Sequence, residues 1–226
     1  MQDRVAFIFD MDGVIIDNMQ YHVDTWLALF RDKGHELSLD DFLEKTAGKK
    51  AEEVVRMFLG ESVTDADVQK YAEQKDFLYR YLYRPKLAPL AGFMAFVEAA
   101  KSAEILMGVG TGGSPENIEF VLGGLNLKPY FKTIVGAANV SKGKPDPEIY
   151  LKAADQLGIA PENCIVFEDA LPGLEAARRA GMKSVAITTS HTEAEFAAAE
   201  SVFCIAGDFT NLKPLALIEE SRQAVL

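Results

Sequence analysis

Short apolar runs alternate along most of this chain with longer stretches in which apolar residues recur at helical spacing. The runs Val5–Phe9, Ile105–Val109, Thr133–Val135, Cys164–Phe167 and Ser184–Ile187 each predict a short buried strand. Strands that are apolar along their whole length, separated by helices, are the pattern of a parallel sheet covered on both faces. Helix ends are legible too. Ser114-Pro115-Glu116 reads as a cap followed by a first-turn proline, and Asp146-Pro147-Glu148 repeats the device. Gly158 and Gly181 read as stop signals for the helices before them.

Between about Asn18 and Leu87 the pattern changes, with no strand and several amphipathic stretches in succession. Val23, Trp26, Leu27 and Phe30, then Val54, Val55, Phe58 and Leu59, then Tyr71, Phe77, Leu78, Tyr81 and Leu82 predict apolar faces that close a small bundle. The expected organisation is an α/β core formed by residues 1–17 and 88–226, a Rossmann-like open parallel sheet, interrupted by an inserted helical domain over 18–87.

Composition narrows the function classes. Hydrophobic residues at 49% and charged residues at 25% are ordinary for a folded globular chain. A formal net charge of −11 repels polyanions and anionic membrane surfaces at long range, so neither nucleic acid nor membrane is expected as a partner. A small phosphorylated substrate remains compatible, because a pocket holding a metal ion and a lysine is locally positive. Cys164 and Cys204 sit in apolar runs that read as buried strands rather than a disulfide framework. The chain passes from Met1-Gln2-Asp3-Arg4 straight into an apolar run, without a basic segment and signal core, and a cytoplasmic location is expected.

Four polar features each follow a predicted strand or open the helix after it. Asp10-Met11-Asp12-Gly13 places two carboxylates in the loop leaving the first strand; alone, such a tetrapeptide is more often turn chemistry than catalysis. Thr111-Gly112-Gly113 offers a hydroxyl and backbone N–H groups suited to phosphate oxygens, or simply a glycine turn. Lys144 precedes a proline-stiffened helix start and is a candidate fixed positive charge, although most surface lysines are only solvated. Glu168-Asp169 follows the Cys164–Phe167 run, where adjacent acids suit either helix capping or Mg2+, a cation of oxygen ligands. In an open parallel sheet all four converge on one edge, which makes coincidence the weaker account.

Taken together, Asp10-Met11-Asp12-Gly13-Val14, Thr111, Lys144 and Glu168-Asp169 resemble the haloacid dehalogenase superfamily over essentially the whole chain. Lys144-Pro145-Asp146-Pro147-Glu148-Ile149-Tyr150 and Glu168-Asp169-Ala170-Leu171-Pro172-Gly173 are similar to its beta-phosphoglucomutase and small-molecule phosphatase branch, whose helical cap domain matches the insert. The resemblance implies a Mg2+-dependent enzyme in which Asp10 is the nucleophile and Asp12 the general acid and base. It further implies that Thr111, Gly112 and Lys144 hold phosphate. Its metal ligands would be Asp10, the Asp12 main-chain carbonyl, Asp169, and Glu168 directly or through water. Dehalogenases of the superfamily lack the second aspartate, so Asp12 points to phosphoryl chemistry.

The same resemblance separates two activities. A mutase needs a second phosphate site, held in that branch by the arginine of a Gly-Val-Ser-Arg stretch, where this chain has Gly48-Lys49-Lys50-Ala51. The mutase pattern also has a lysine where Ser114 stands. A phosphatase acting on a small phosphorylated metabolite, such as a sugar phosphate, is therefore favoured over a beta-phosphoglucomutase. A catalytically silent binding protein comes last, because the motif residues are intact. His22 matches a cap-hinge histidine of the branch, and His22, Lys49, Lys50 and Lys75 are the candidate substrate-side residues of the insert. A cap of this size predicts a site completed without a partner chain, and hence a monomer.

Overall fold

The computed structural model describes residues 4–46 and 51–224. Its contacts divide the chain into two compact units, one formed by Met1–Asp17 with Ala88–Leu226 and the other by Asn18–Leu87. The chain enters the first unit through β1 (Ala6–Phe9), whose four residues are all buried.

The second unit is helical, with α1 (Met19–Asp32), α2 (Leu39–Thr46), α3 (Ala51–Leu59) and α4 (Asp65–Tyr83). Phe30, Phe42 and Val54 form its buried centre, with Val23, Trp26, Leu27, Phe58 and Leu59 packed around them. The expected faces of α1 and α3 are thus the inward ones, but α4 turns differently. Its buried residues are Val68, Lys75, Tyr79 and Tyr83, while Phe77 and Tyr81 are 66% and 68% exposed. Apolar side chains alone misplaced this face because a buried lysine and two tyrosines, each with a polar tip to satisfy, set its inward stripe.

The remaining chain completes the α/β unit: α5 (Phe93–Ser102), β2 (Leu106–Gly110), α6 (Pro115–Ile118), β3 (Thr133–Val135), α7 (Glu148–Leu157), β4 (Cys164–Glu168), α8 (Leu171–Arg179), β5 (Lys183–Ile187), α9 (Glu193–Phe196), β6 (Val202–Ala206) and α10 (Pro214–Gln223). The six strands pair in parallel in the order β3-β2-β1-β4-β5-β6. Chain direction along the sheet therefore reverses between β1 and β4, the kind of switch point at which open sheets bind ligands.

Both faces of β1 are covered, which is why its pattern is continuous rather than alternating. Ala6 and Ile8 face Ile149, Tyr150, Ala153 and Ala154 of α7 and Ala176 and Ala177 of α8. On the other face Phe7 and Phe9 meet Phe96 of α5, Phe167 and, at Phe9, Phe93 and Phe209, with ring centroids 4.6 to 6.2 Å apart. Ser114 caps α6, its Oγ accepting from Asn117 N at 3.3 Å, and Gly158 and Gly181 take left-handed φ beyond α7 and α8. The run around Cys204 forms a strand as expected, but at the sheet edge, so β6 and Cys204 are only half-buried.

The aromatic layer yields a test of this packing. Phe96→Ala empties a site touching Phe7, Phe9, Phe167 and Phe209 and is expected to cost about 3–5 kcal/mol. The single tryptophan, Trp26, belongs to the helical unit, so far-UV circular dichroism in urea is the proper readout. An unchanged unfolding midpoint would contradict the assignment of this layer.

Candidate active site

Every core residue of the expected site leaves the carboxyl end of a strand or the loop beside one. Asp10 is the first residue beyond β1, its N–H donating to Phe167 O of β4 at 2.9 Å, in the register that aligns Phe9 with Phe167 and Val109. Thr111 follows β2 and is fully buried, its Oγ1 accepting from Gly113 N at 3.0 Å. That bond uses the hydroxyl as an acceptor, so its proton is the group a phosphate oxygen would receive. A methyl group placed on Gly113 would lie 3.3 Å from Thr111 Oγ1 and 3.8 Å from Asp12 Oδ2, so the second loop faces the first.

Glu168 ends β4 and organises what lies around it. Its Oε1 accepts from Lys144 Nζ at 2.5 Å and from the Tyr150 hydroxyl at 2.6 Å, and its Oε2 accepts from the N–H groups of Asp169 and Ala170 at 2.9 and 3.1 Å. Lys144 Nζ also lies 3.0 Å from Asp10 Oδ1 and 5.0 Å from the centre of the Tyr150 ring. Two glycines admit these carboxylates. Gly13, at φ +75°, would drive a Cβ onto the Asp169 carboxylate, and a Cβ on Gly173 would overlap that of Glu168.

The electrostatics are those of a crowded anionic site. Burial pushes the Asp10 carboxyl up to about 7; Lys144 pulls it down, while Glu168 and Asp12 push it further up. Asp169 is raised well above the carboxylate range by burial and by Glu168 and Asp10, with the Ser190 hydrogen bond and Lys144 acting in the opposite sense. For Lys144 burial would lower the pKa, but Asp10 and Glu168 outweigh it and hold the ammonium above its usual value.

Oxygen atoms of Asp10, Glu168 and Asp169 lie within 4.8 Å of one another, and Asp10 Oδ1 is buried without meeting a hydrogen-bond geometry. Hard oxygen donors and surplus negative charge, only part of it offset by Lys144, fit a divalent cation. With four donors on its two oxygens, Glu168 has less to offer such an ion than Asp10 or Asp169.

The substrate-side candidates divide. His22 and Lys75 belong to one cluster inside the helical unit: Lys75 Nζ donates to His22 Nδ1 at 2.7 Å and to Asp76 Oδ1 at 2.9 Å, and lies 5.3 Å from the Trp26 ring centre. Accepting at Nδ1 puts the proton of a neutral imidazole on Nε2, and the ring stacks on Tyr79 at 3.9 Å. Lys49 and Lys50 lie outside the described residues.

Three residues at the site were not singled out from sequence. Tyr150 closes the Lys144–Tyr150 motif but was given no role of its own, although a buried tyrosine needs a partner for its hydroxyl. Thr189 and Ser190 are the second and third residues beyond β5, and the strand-end rule that flagged the other loops applies to them equally: Thr189 Oγ1 donates to Gly13 O at 2.5 Å and Ser190 Oγ donates to Asp169 Oδ2.

Comparison with known proteins places this geometry. The chain is 31% identical over 86% of its length to a chloroplastic 5-amino-6-(5-phospho-D-ribitylamino)uracil phosphatase of Arabidopsis thaliana, and spans only 52% of that longer protein. It is 33% identical to a validoxylamine A 7'-phosphate phosphatase of Streptomyces hygroscopicus subsp. limoneus, covering 85% of this chain and 90% of that one. Among solved structures, a beta-phosphoglucomutase from Clostridium difficile aligns with a TM-score of 0.84 at 28% identity, over 97% of this chain and 98% of the other. A family model for haloacid dehalogenase-like hydrolases matches residues 5–181, from the first strand through all four polar strand-end features to the turn after α8, and the chain belongs to that family.

Proposed function

We propose that the protein is a Mg2+-dependent phosphatase of small phosphorylated metabolites, a sugar phosphate being the expected type, working through an aspartyl phosphate on Asp10. The observation that carries this reading is the convergence of Asp10, Lys144 and Asp169 at the β1/β4 switch point, with the Thr111 hydroxyl on the neighbouring strand end. It is a surrounding suited to a phosphate dianion approached by an anionic nucleophile.

In this reading Asp10 and Asp169 would hold the cation together with the Asp12 carbonyl, with Glu168 contributing directly or through water while it fixes Lys144. When bound, Mg2+ offsets the charge that would otherwise keep a carboxylate from a phosphate. Lys144, Thr111 and the Gly112 N–H hold the non-bridging oxygens. An Asp10 oxygen attacks phosphorus as the bond to the leaving oxygen breaks, and Asp12 gives that oxygen its proton. Asp12 then takes a proton from water, the water oxygen attacks phosphorus, and the phosphorus–Asp10 bond breaks to release phosphate and restore Asp10. The charge arrangement separates this function from stability, because the anion that attacks is also one the buried cluster disfavours.

Both phosphatases and a mutase are among the similar proteins, and Ser114 favours the phosphatase. Its side chain is committed to capping α6 and supplies no cation where the mutase pattern has one. Selection of the leaving group is assigned to the helical unit as the cap. Within it, Lys75 is held by His22 and Asp76, so it serves this reading as an internal strut.

Three outcomes are expected. In a panel of sugar phosphates with Mg2+, phosphate should be released stoichiometrically with substrate loss; conversion of beta-glucose 1-phosphate to glucose 6-phosphate with little free phosphate would overturn the phosphatase reading. Asp10→Asn should lose at least about 10^3-fold in kcat, and Asp12→Asn about 10^2- to 10^4-fold, on whichever substrate is best. Because Asp10→Asn removes a charge that burial disfavours, its thermal midpoint near neutral pH should match or exceed that of the parent. Retained turnover in Asp10→Asn would exclude Asp10 as the nucleophile.

A further inference from the structure

The segment after β5 grips both halves of the site. Thr189 Oγ1 holds the Gly13 carbonyl of the loop leaving β1, and Ser190 Oγ holds Asp169 Oδ2 in the loop leaving β4. The two gripped groups also abut each other, since Gly13 leaves no room for a Cβ beside the Asp169 carboxylate. Asp169 is thereby wedged between the main chain of one loop and the hydroxyl of another, and nothing in the proposed chemistry uses either hydroxyl.

We infer that Ser190, braced by Thr189, is a positioning residue that presets Asp169 to ligate a divalent cation through Oδ1. This rests on the reading above in which Asp169 is a metal ligand. A carboxylate has two equivalent oxygens, and rotation about its terminal bond offers a cation either one or both. A proton from Ser190 on Oδ2 removes that freedom and leaves Oδ1 as the ligating oxygen. Partners of this kind, which orient a ligand without touching the ion, are typically worth 10- to 100-fold in metal affinity. Ser190 is itself exposed, so replacing it by alanine removes one hydrogen bond and little packing, and the variant should fold.

Isothermal titration with Mg2+ tests the inference on the full chain. The parent should bind Mg2+, Asp169→Asn should lose that binding, and Ser190→Ala should raise Kd by about 10-fold or more. Ser190→Thr, which keeps the hydroxyl, should stay within about threefold of the parent. The Mg2+ concentration for half-maximal phosphatase activity should rise in Ser190→Ala by the same factor, a shift that a general structural fault would not produce. Parent-like Mg2+ affinity in Ser190→Ala, with binding lost in Asp169→Asn, would overturn the inference while leaving the metal reading intact. Absence of Mg2+ binding by the parent, or parent-like binding by Asp169→Asn, would overturn both.

Discussion

Like-charge repulsion between Asp10, Glu168 and Asp169 governs the centre of this fold. Carboxylates about 4 Å apart repel by roughly 4 kcal/mol at an effective dielectric of about 20, and these three are nearly shut off from water. Two devices make the cluster tolerable. Lys144 sits between Asp10 and Glu168 as an internal counter-ion, and Glu168 is held by its lysine, its tyrosine and two backbone N–H groups. The charge these devices leave over resides on Asp10 and Asp169, whose carboxyls are raised in pKa first by burial and then by their acidic neighbours. A site built this way waits for positive charge from outside, which a cation supplies on binding.

The scaffold explains how such a cluster is assembled at all. Parallel pairing of β1 with β4 in the Phe9–Phe167 register brings Asp10 beside the end of β4, so the carboxylates are adjacent because the strands are. The aromatic layer under β1 and the alanine-rich contacts of α7 and α8 above it keep both strands buried on two sides, holding the strand ends where the loops can converge. Missing side chains at Gly13 and Gly173 complete the arrangement: bulk at either would fall on a carboxylate. Stability is therefore concentrated in the apolar layers and the electrostatic cost in the polar edge, the division expected of a functional site.

The strands and their polar ends were legible because they are local. Continuous apolar runs as short as Val5–Phe9 admit few readings, and acids, hydroxyls or a lysine directly after them mark the edge where a parallel sheet binds. What sequence did not disclose depends on contacts far along the chain. The Glu168–Tyr150 bond spans 18 residues, Ser190–Asp169 spans 21 and Thr189–Gly13 spans 176. The face of α4 was misjudged for a related reason. Lys75 is buried against Trp26 and His22 of α1, with its own neighbour Asp76 as counter-ion, and hydrophobic periodicity gives such a residue no weight.

The central claim is that phosphorus is attacked by Asp10 before it is attacked by water. The stereochemical course of hydrolysis tests this most directly. With a phosphorothioate monoester made chiral by oxygen isotopes and turned over in isotopically labelled water, two successive in-line displacements each invert phosphorus. Net retention is the expected result. Net inversion would mean a single direct attack by water and would contradict the role assigned to Asp10.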